Sequence, residues 1–576
     1  VNPNDDATFA YSGSSYCSDD SDPTPTISGT TAGTFSSSTG LVMTNGVIDL
    51  DASTAGTYTI KYVTPGTCPD SSTQDVTITT PSTDFNYGGS TEFCLGTTNP
   101  VATISGAAGG TFSATGGLTI DANTGEIDLS TATAGNYQVT YTPASNWQQI
   151  GQDIDGEANN DNFGRSVSIS SDGNTVAIGA NENDGNGSQS GHLRVFQNNG
   201  GNWLQIGQDI DGEQIDDFCG SSNSINSTGN RVAITSPYND GNGNNSGHVR
   251  IFNWDGTVWS QLGSNINGKQ QGSRSENVSM NTLGNRVAIG SRVNGHVRIF
   301  EWSGTAWIQL GLDIVFGGNV SMNSTGDRVA VGGNIGANNV NGAYSGAVRI
   351  FEWSGTDWLQ IGTDIYGEAA YDYSGISIAM NNVGNRVAIT SPYNDGNGTS
   401  SGHVRVFEWN GIDWLKLGID IDGDSVGNYN QYAQYTTVSM NSSGNTIAIG
   451  SLDSISDASG NNSSGHVRIY EWKGNAWTKK GSDINGTGRN AQFGRSVSIN
   501  DAGNKVAIGA LYNDGYLSNY PGYVRVFGAP TAVCPQPLDI TIHAAPTIDL
   551  GADTTLICAG TSETIDAGTG FASYLW

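Results

Sequence analysis

The chain repeats itself, and the length of the repeat limits what it can fold into. Trp147-Gln148-Gln149-Ile150-Gly151 opens a stretch that recurs about every fifty residues, with further openings at Trp203, Trp259, Trp307, Trp358, Trp414 and Trp477. Each opening leads to an apolar run such as Ser166-Val167-Ser168-Ile169, a turn such as Ser171-Asp172-Gly173-Asn174, and a second run such as Thr175-Val176-Ala177-Ile178-Gly179. A Gly/Asn-rich loop follows, then a third run of the form Gly402-His403-Val404-Arg405-Val406-Phe407-Glu408-Trp409. A short turn such as Ser303-Gly304-Thr305-Ala306 returns the chain to the next opening Trp. Runs rich in Val, Ile and Phe bounded by Gly, Asn, Asp and Ser read as strands, and no stretch carries apolar residues at helical spacing. One such four-stranded unit cannot bury both faces, whereas seven set radially can, and closing the ring leaves only short edges. The expectation is an all-β chain holding a seven-bladed β-propeller over residues 144–528.

The phase of the repeat makes a sharper prediction. The array begins with an opening strand at Trp147 and ends on a third strand, Val524-Arg525-Val526-Phe527. The last blade therefore lacks one strand and the beginning has one to spare. Residues near Trp147–Ile154 should complete the blade built from residues near Arg495–Phe527.

The flanks follow a second repeat. Thr26-Ile27-Ser28-Gly29 matches Thr103-Ile104-Ser105-Gly106, Gly33-Thr34-Phe35 matches Gly110-Thr111-Phe112, and Ala55-Gly56-Thr57-Tyr58 matches Ala134-Gly135-Asn136-Tyr137. Alternating apolar and polar residues with frequent turns read as small β-sandwiches. The second copy breaks off after Pro143, and the piece it lacks, Cys534-Pro535 with Asp539-Ile540-Thr541-Ile542, follows the propeller. The expected fold is a propeller inserted into one of a series of Ig-like sandwich modules: 1–80, then 81–143 with 529–543, the propeller at 144–528, and the start of a third module at 544–576. Insertion is tolerated where a guest's ends lie close together, as blade closure would bring them.

The same copies suggest disulfides Cys17–Cys68 and Cys94–Cys534, which would imply an oxidising compartment; buried free thiols are the alternative. Cys558 has no partner in the sequence, and Cys219 stands where the first blade has Phe163, a place for a small buried apolar residue. A net charge of −31 opposes nucleic acid or an anionic bilayer as partner, since a polyanion needs a basic face. No apolar run is long enough to cross a membrane. The first residue, Val1, and the strand-like end at Trp576 read as the ends of a piece of a larger protein.

The blades resemble FG-GAP repeats, the units of integrin alpha-chain propellers. Phe163-Gly164-Arg165-Ser166-Val167 and Phe493-Gly494-Arg495-Ser496-Val497 carry the first half of the pattern, and Ala177-Ile178-Gly179-Ala180 and Ala507-Ile508-Gly509-Ala510 the second. Other blades degrade the first half to Cys219-Gly220 or Ser374-Gly375. Integrin-type blades hold calcium between the halves, where this chain has only Ser171-Asp172-Gly173-Asn174, so the resemblance implies no calcium there. The flanking modules, with Leu550-Gly551-Ala552-Asp553 and Tyr574-Leu575-Trp576, resemble the Ig- or PKD-like modules of giant surface proteins of gliding Bacteroidota. That resemblance implies secretion by the type IX route to the cell surface, and work as an adhesin or as a subunit of a filament or hook.

Nothing in the sequence assembles an acid–base pair, a phosphate loop or a paired metal motif, so no enzyme is expected. His192, His248, His296, His403 and His466 share one strand position, and Arg194, Arg250, Arg298, Arg349, Arg405, Arg468 and Arg525 another. Repetition around a ring marks packing sites; the arginines are expected to pair between blades with Asp153, Asp209, Asp313, Asp364, Asp420 and Asp483. The Trp pairs, such as Trp302 and Trp307, likewise read as core packing. The loops at Asp184, Asp240 and Asp395, each Asn-Asp-Gly-Asn-Gly, suit turns with positive φ or a weak calcium site. With Tyr429 and Tyr432 of the long insert Asp424–Ala433 they form the candidate ligand face. The expected function is extracellular adhesion or recognition of a glycan or protein on another cell. The alternative is a homo-oligomeric filament subunit.

Overall fold

A computed structural model of the chain describes residues 6–11, 13–17, 22–50, 52–65, 69–79, 85–104, 111–142, 147–333, 340–423, 437–452, 464–488, 491–512, 521–529 and 536–544. Every regular element among them is a β-strand. The chain divides into two compact units, Val1–Ser145 with Thr531–Trp576, and Asn146–Pro530.

The smaller unit holds two copies of one sheet. In the first, Ser15–Cys17, Ser71–Thr79, Gly56–Val63 and Thr34–Ser37 lie side by side in that order; in the second, Glu92–Cys94, Gln536–His543, Gly135–Thr142 and Thr111–Ala114 do the same. Alternate residues of the long strands turn inward. Tyr58, Ile60 and Tyr62 are buried with Val76 and Ile78 in one copy, and Tyr137, Val139 and Tyr141 with Ile540 and Ile542 in the other. Gly135–Thr142 and Gln536–His543 pair from Gly135↔Ile542 to Tyr141↔Gln536, although the whole larger unit lies between them in the chain.

Cys17 is opposite Thr79 and Cys94 opposite His543 in the parallel pairing at the edge of each sheet. Cys94 is a free thiol, which corrects its expected pair with Cys534; Cys68, Cys534 and Cys558 lie outside the described residues, and the expected Cys17–Cys68 pair with them.

The larger unit is a set of repeated, propeller-like antiparallel sheets. The first consists of Phe163–Ile169, Thr175–Ala180, His192–Asn199 and Asn202–Gln205, with Ile210–Asp211 continuing the outer edge. The last joins Ser496–Ile499, Lys505–Ala510 and Tyr523–Gly528 to Gln148–Gln149 from the beginning of the unit. Gln149 pairs with Phe527 and Ile154 with Val524, as the phase of the repeat predicts. Each inner strand lies against the inner strand of the next sheet, and Ser496–Ile499 lies against Phe163–Ile169, so the order is cyclic.

Three sets of hydrogen bonds run around this cycle. The turns after the inner strands donate backbone N–H to carbonyl from Ser171 to Ser227, Thr282, Ser324, Asn382, Ser442, Asp501 and back to Ser171. The indole N–H of each opening Trp donates to the preceding sheet: Trp203 to Ile150, Trp259 to Ile206, Trp307 to Leu262, Trp358 to Leu310, Trp414 to Ile361, Trp477 to Leu417 and Trp147 to Lys480. A third set reaches glycine carbonyls in the next sheet, as from Ser166 to Gly220, Asn319 to Gly375 and Ser496 to Gly164. These glycines belong to the first half of the repeat and face a glycine of the second half across the sheet boundary: Gly220 on Gly179, Gly375 on Gly332, Gly494 on Gly450, Gly164 on Gly509. The two halves of the sequence pattern are thus the two sides of one backbone contact too close for any side chain. Cys219 is fully buried, with its sulfur 3.3 Å from Arg250 Nη2.

Candidate functional site

Register decides which loops share an edge. Ala180 pairs with His192 and His192 with Asp211. The loop between second and third strands therefore meets the link to the next sheet at one edge of the unit. The two segments are joined by backbone hydrogen bonds. Asp216, Phe218 and Cys219 donate to Ser188, Gln189 and Ser190, and Tyr371, Tyr373 and Ser374 donate to Ala343, Tyr344 and Ser345. Buried carboxylates brace the same joint. Asp161, Asp217 and Asp372 accept from Asn183, Asn239 and Asn394 at 2.9, 3.0 and 3.1 Å, and from backbone N–H groups of their own links. Burial raises the pKa of Asp161 and Asp217 against these hydrogen bonds.

The loop aspartates are structural members of this edge. One carboxylate oxygen of Asp184, Asp240 and Asp395 accepts the backbone N–H of Gln189, Asn245 and Ser400 at 2.8, 2.7 and 2.7 Å. The preceding Asn183, Asn239 and Asn394 accept from Gly185, Gly241 and Gly396, closing Asx turns. This bonding is that of a turn, the first of the two sequence readings. Tyr429 and Tyr432 lie outside the described residues.

The repeated His and Arg positions come together with carboxylates. The ligating atoms of Glu157, His192 and Asp209 lie within 4.8 Å of one another, as do those of Glu368, His403 and Asp420. Guanidinium groups share these places: Arg194 lies 3.5 Å from Glu157 and 3.7 Å from Asp209, and Arg405 lies 3.4 Å from Glu368. A resident guanidinium supplies the positive charge and repels a divalent ion. Burial lowers the pKa of His192, His248 and His403 to about 4, so each is neutral near pH 7.

The expected Arg–Asp pairing between blades needs correction. Arg349, Arg468 and Arg525 bind Asp364, Asp483 and Asp153 with two prongs, but within their own sheets. Arg250, Arg298 and Arg405 instead donate at 2.6, 2.6 and 2.7 Å to the carbonyls of Asp211, Asn267 and Tyr366 in the preceding sheet. A guanidinium on the third strand reaches a backbone carbonyl across the boundary more readily than the outer-strand carboxylate there. Asp420 is bound by Lys416 and Asp313 by Lys269.

The stacking of one tyrosine on two others has no counterpart at this edge among the described residues, although Phe218 packs on Tyr238 as Tyr373 does on Tyr393. Tyr344 stacks on Tyr371 (centroids 5.7 Å, planes 26° apart) and on Tyr373 (5.6 Å, 20°), and Tyr373 packs on Tyr393 at 5.3 Å. Tyr344 and Tyr371 are 39% and 57% exposed. The sequence reading overlooked these four. The signal was present in a comparison of the copies: Ala343-Tyr344-Ser345-Gly346 stands where others have Ser188-Gln189-Ser190-Gly191 and Asn244-Asn245-Ser246-Gly247.

At the opposite edge the turns surround the axis. A polar cavity of about 110 Å³ is lined there by Ser171, Ser227, Thr282, Ser324, Asn382 and Asp501, among others, with Asn382 Nδ2 3.3 Å from Asp501 Oδ2. These residues carry the cyclic backbone hydrogen bonds.

The family model described as FG-GAP repeat matches residues 154–196, from the tail of the outer strand that completes the last sheet to the third strand of the first. No curated protein matches the chain. Among solved structures, the chain is similar to Kuenenia stuttgartiensis Hydrazine Synthase, at 10% sequence identity and a TM-score of 0.40, covering 62% of this chain and 94% of that one. The FG-GAP match and the repeated four-stranded sheets fit a β-propeller.

Proposed function

We propose that the chain is an extracellular recognition module, a seven-bladed propeller displayed from a loop of the second of two Ig-like modules. One observation carries this reading: Gly135–Thr142 and Gln536–His543 are adjacent antiparallel strands of one sheet, and the chain leaves and re-enters that sheet around the whole Asn146–Pro530 unit. A unit carried this way adds surface without lengthening the row of modules that bears it, which suits a displayed head. Secretion to the cell surface by the type IX route, and contact with a glycan or protein of another cell, rest on the resemblance of the flanking modules to large surface adhesins.

The test is binding of the purified chain to intact cells and to an oligosaccharide array, with and without calcium, beside a variant in which residues 146–530 are replaced by a short linker. Binding that disappears with the replacement supports the reading. No binding by the intact chain, with fibres forming in electron micrographs, would transfer the function to a filament subunit.

A further inference from the structure

We infer that Tyr344, Tyr371 and Tyr373 form a stacking platform for a neutral or amino sugar; the inference rests on the recognition reading above and names its ligand.

The backbone is the first argument. Tyr344, Tyr371 and Tyr373 all have positive φ, at 56°, 68° and 54°. Asn and Asp tolerate that region, and a bulky aromatic residue does so at a cost. Where Tyr344 and Tyr371 stand, other sheets carry Gln189, Asn245 and Ser400, and Asn160 and Asp216, all polar; where Tyr373 stands they carry Asn162, Phe218, Arg274 and Gln492, so a large side chain is ordinary there. Folding alone therefore gives no reason for the tyrosines at 344 and 371. Strain of this kind gathers at binding sites.

Presentation is the second argument. Three backbone hydrogen bonds, Tyr371 to Ala343, Tyr373 to Tyr344 and Ser374 to Ser345, fix the two loops against each other at 2.8, 3.0 and 2.9 Å. The rings are thus held in place before any ligand arrives, and little ordering cost remains for binding. Their planes lie within 26° of that of Tyr344, and two of them are open to solvent.

The surroundings select the ligand. Ala369 and Ala370, next to Tyr371 in the chain, are exposed. Flat, exposed rings suit the C–H face of a pyranose, with the phenol hydroxyls available to its hydroxyl groups; tyrosine also serves as a protein-interface anchor, and the cell and array arms of the experiment separate the two. A chain net charge of −31 opposes sialylated, sulfated or phosphorylated glycans.

The experiment uses the full chain on an array of neutral, amino, sialylated and sulfated oligosaccharides, and on whole cells. The wild type is compared with Tyr371→Asn and with Tyr344→Asn, substitutions that suit positive φ and so keep the fold. Expected are binding to neutral or amino sugars and a loss of at least about tenfold in each variant, about 1.4 kcal/mol. Binding only to acidic glycans, or neutral-sugar binding unchanged in both variants, overturns the inference. Cell binding without any array binding overturns it too and makes the partner a protein, while the recognition reading stands. Absence of both cell and array binding removes that reading as well.

Discussion

Gly332 offers a test in which the sign of the effect carries the answer. It lies in the strand Arg328–Gly333, outside the residues with positive φ, so alanine meets no backbone strain there. In an ordinary strand Gly→Ala gains about 0.5–1 kcal/mol by restricting the unfolded chain. Here the added methyl would stand 3.0 Å from the carbonyl carbon of Gly375, 3.3 Å from its Cα, and closer still to its oxygen. That oxygen accepts from the buried Asn319 Nδ2 at 2.9 Å. Forcing the sheets apart costs about 1–3 kcal/mol, and weakening the buried hydrogen bond about 1 kcal/mol more. The net expectation for Gly332→Ala is a loss of about 2 kcal/mol. Denaturant unfolding followed by tryptophan fluorescence reports on the right unit, since all of the 13 tryptophans except Trp576 lie in it. The midpoint should fall with an unchanged denaturant slope. A neutral or stabilising result would refute the claim that the two glycines of the repeat meet across a sheet boundary.

Other substitutions probe closure and titration. Trp147→Phe removes the indole donor that ties the closing strand to Lys480 of the preceding sheet and should lower stability by about 1 kcal/mol, read by thermal unfolding. Arg525→Met breaks the two-pronged pair with Asp153 in the same sheet; because Asp153 is one-third exposed, the loss should not exceed about 1 kcal/mol. His403 has a folded pKa of about 4, lowered first by burial and next by Arg405, with Asp420 and Asp372 opposing. The unfolded chain therefore takes up a proton on this residue before the folded one does. The stabilising contribution is complete above about pH 6.5 and is lost as pH falls towards 4. His403→Asn should flatten that part of the stability–pH curve, and an unchanged slope between pH 6.5 and 4 would count against it.

What was legible in the sequence is what the repeat states several times over. The opening tryptophans, the paired glycines and the strand left over at one end each recur or close a count, so their places in the cycle follow from spacing alone. The cysteines were harder to read for a related reason. Two matching cysteines in each copy suggest a pair, but matching copies say nothing of register, which sets Cys94 beside His543 as a free thiol. The arginines were legible as a ring and not as bonds, because a long guanidinium side chain chooses between a carboxylate in its own sheet and a carbonyl in the preceding one at similar reach. The tyrosine group escaped for the opposite reason: it departs from the repeat, and reading for the period averages such departures away.

That departure can be separated from packing by one further comparison. At a positive φ, asparagine is favoured over alanine by about 0.5–1 kcal/mol, since its side chain bonds its own backbone and tolerates the left-handed region. Replacing Tyr371 by either residue removes the same stacking on Tyr344, worth about 0.5–1.5 kcal/mol. The stacking loss cancels between the two variants, and the difference between them reports the backbone alone. Tyr371→Asn should therefore be more stable than Tyr371→Ala by about 0.5–1 kcal/mol, and close to wild type, because relief of the tyrosine's strain offsets the lost stacking. The same comparison at exposed Leu359, in an outer strand and outside the residues with positive φ, should show no such preference. If Asn and Ala are equal at 371, the left-handed backbone is not held there in solution. The tyrosines would then be ordinary exposed residues, and the strain argument for a binding site would fail even if sugar binding were found.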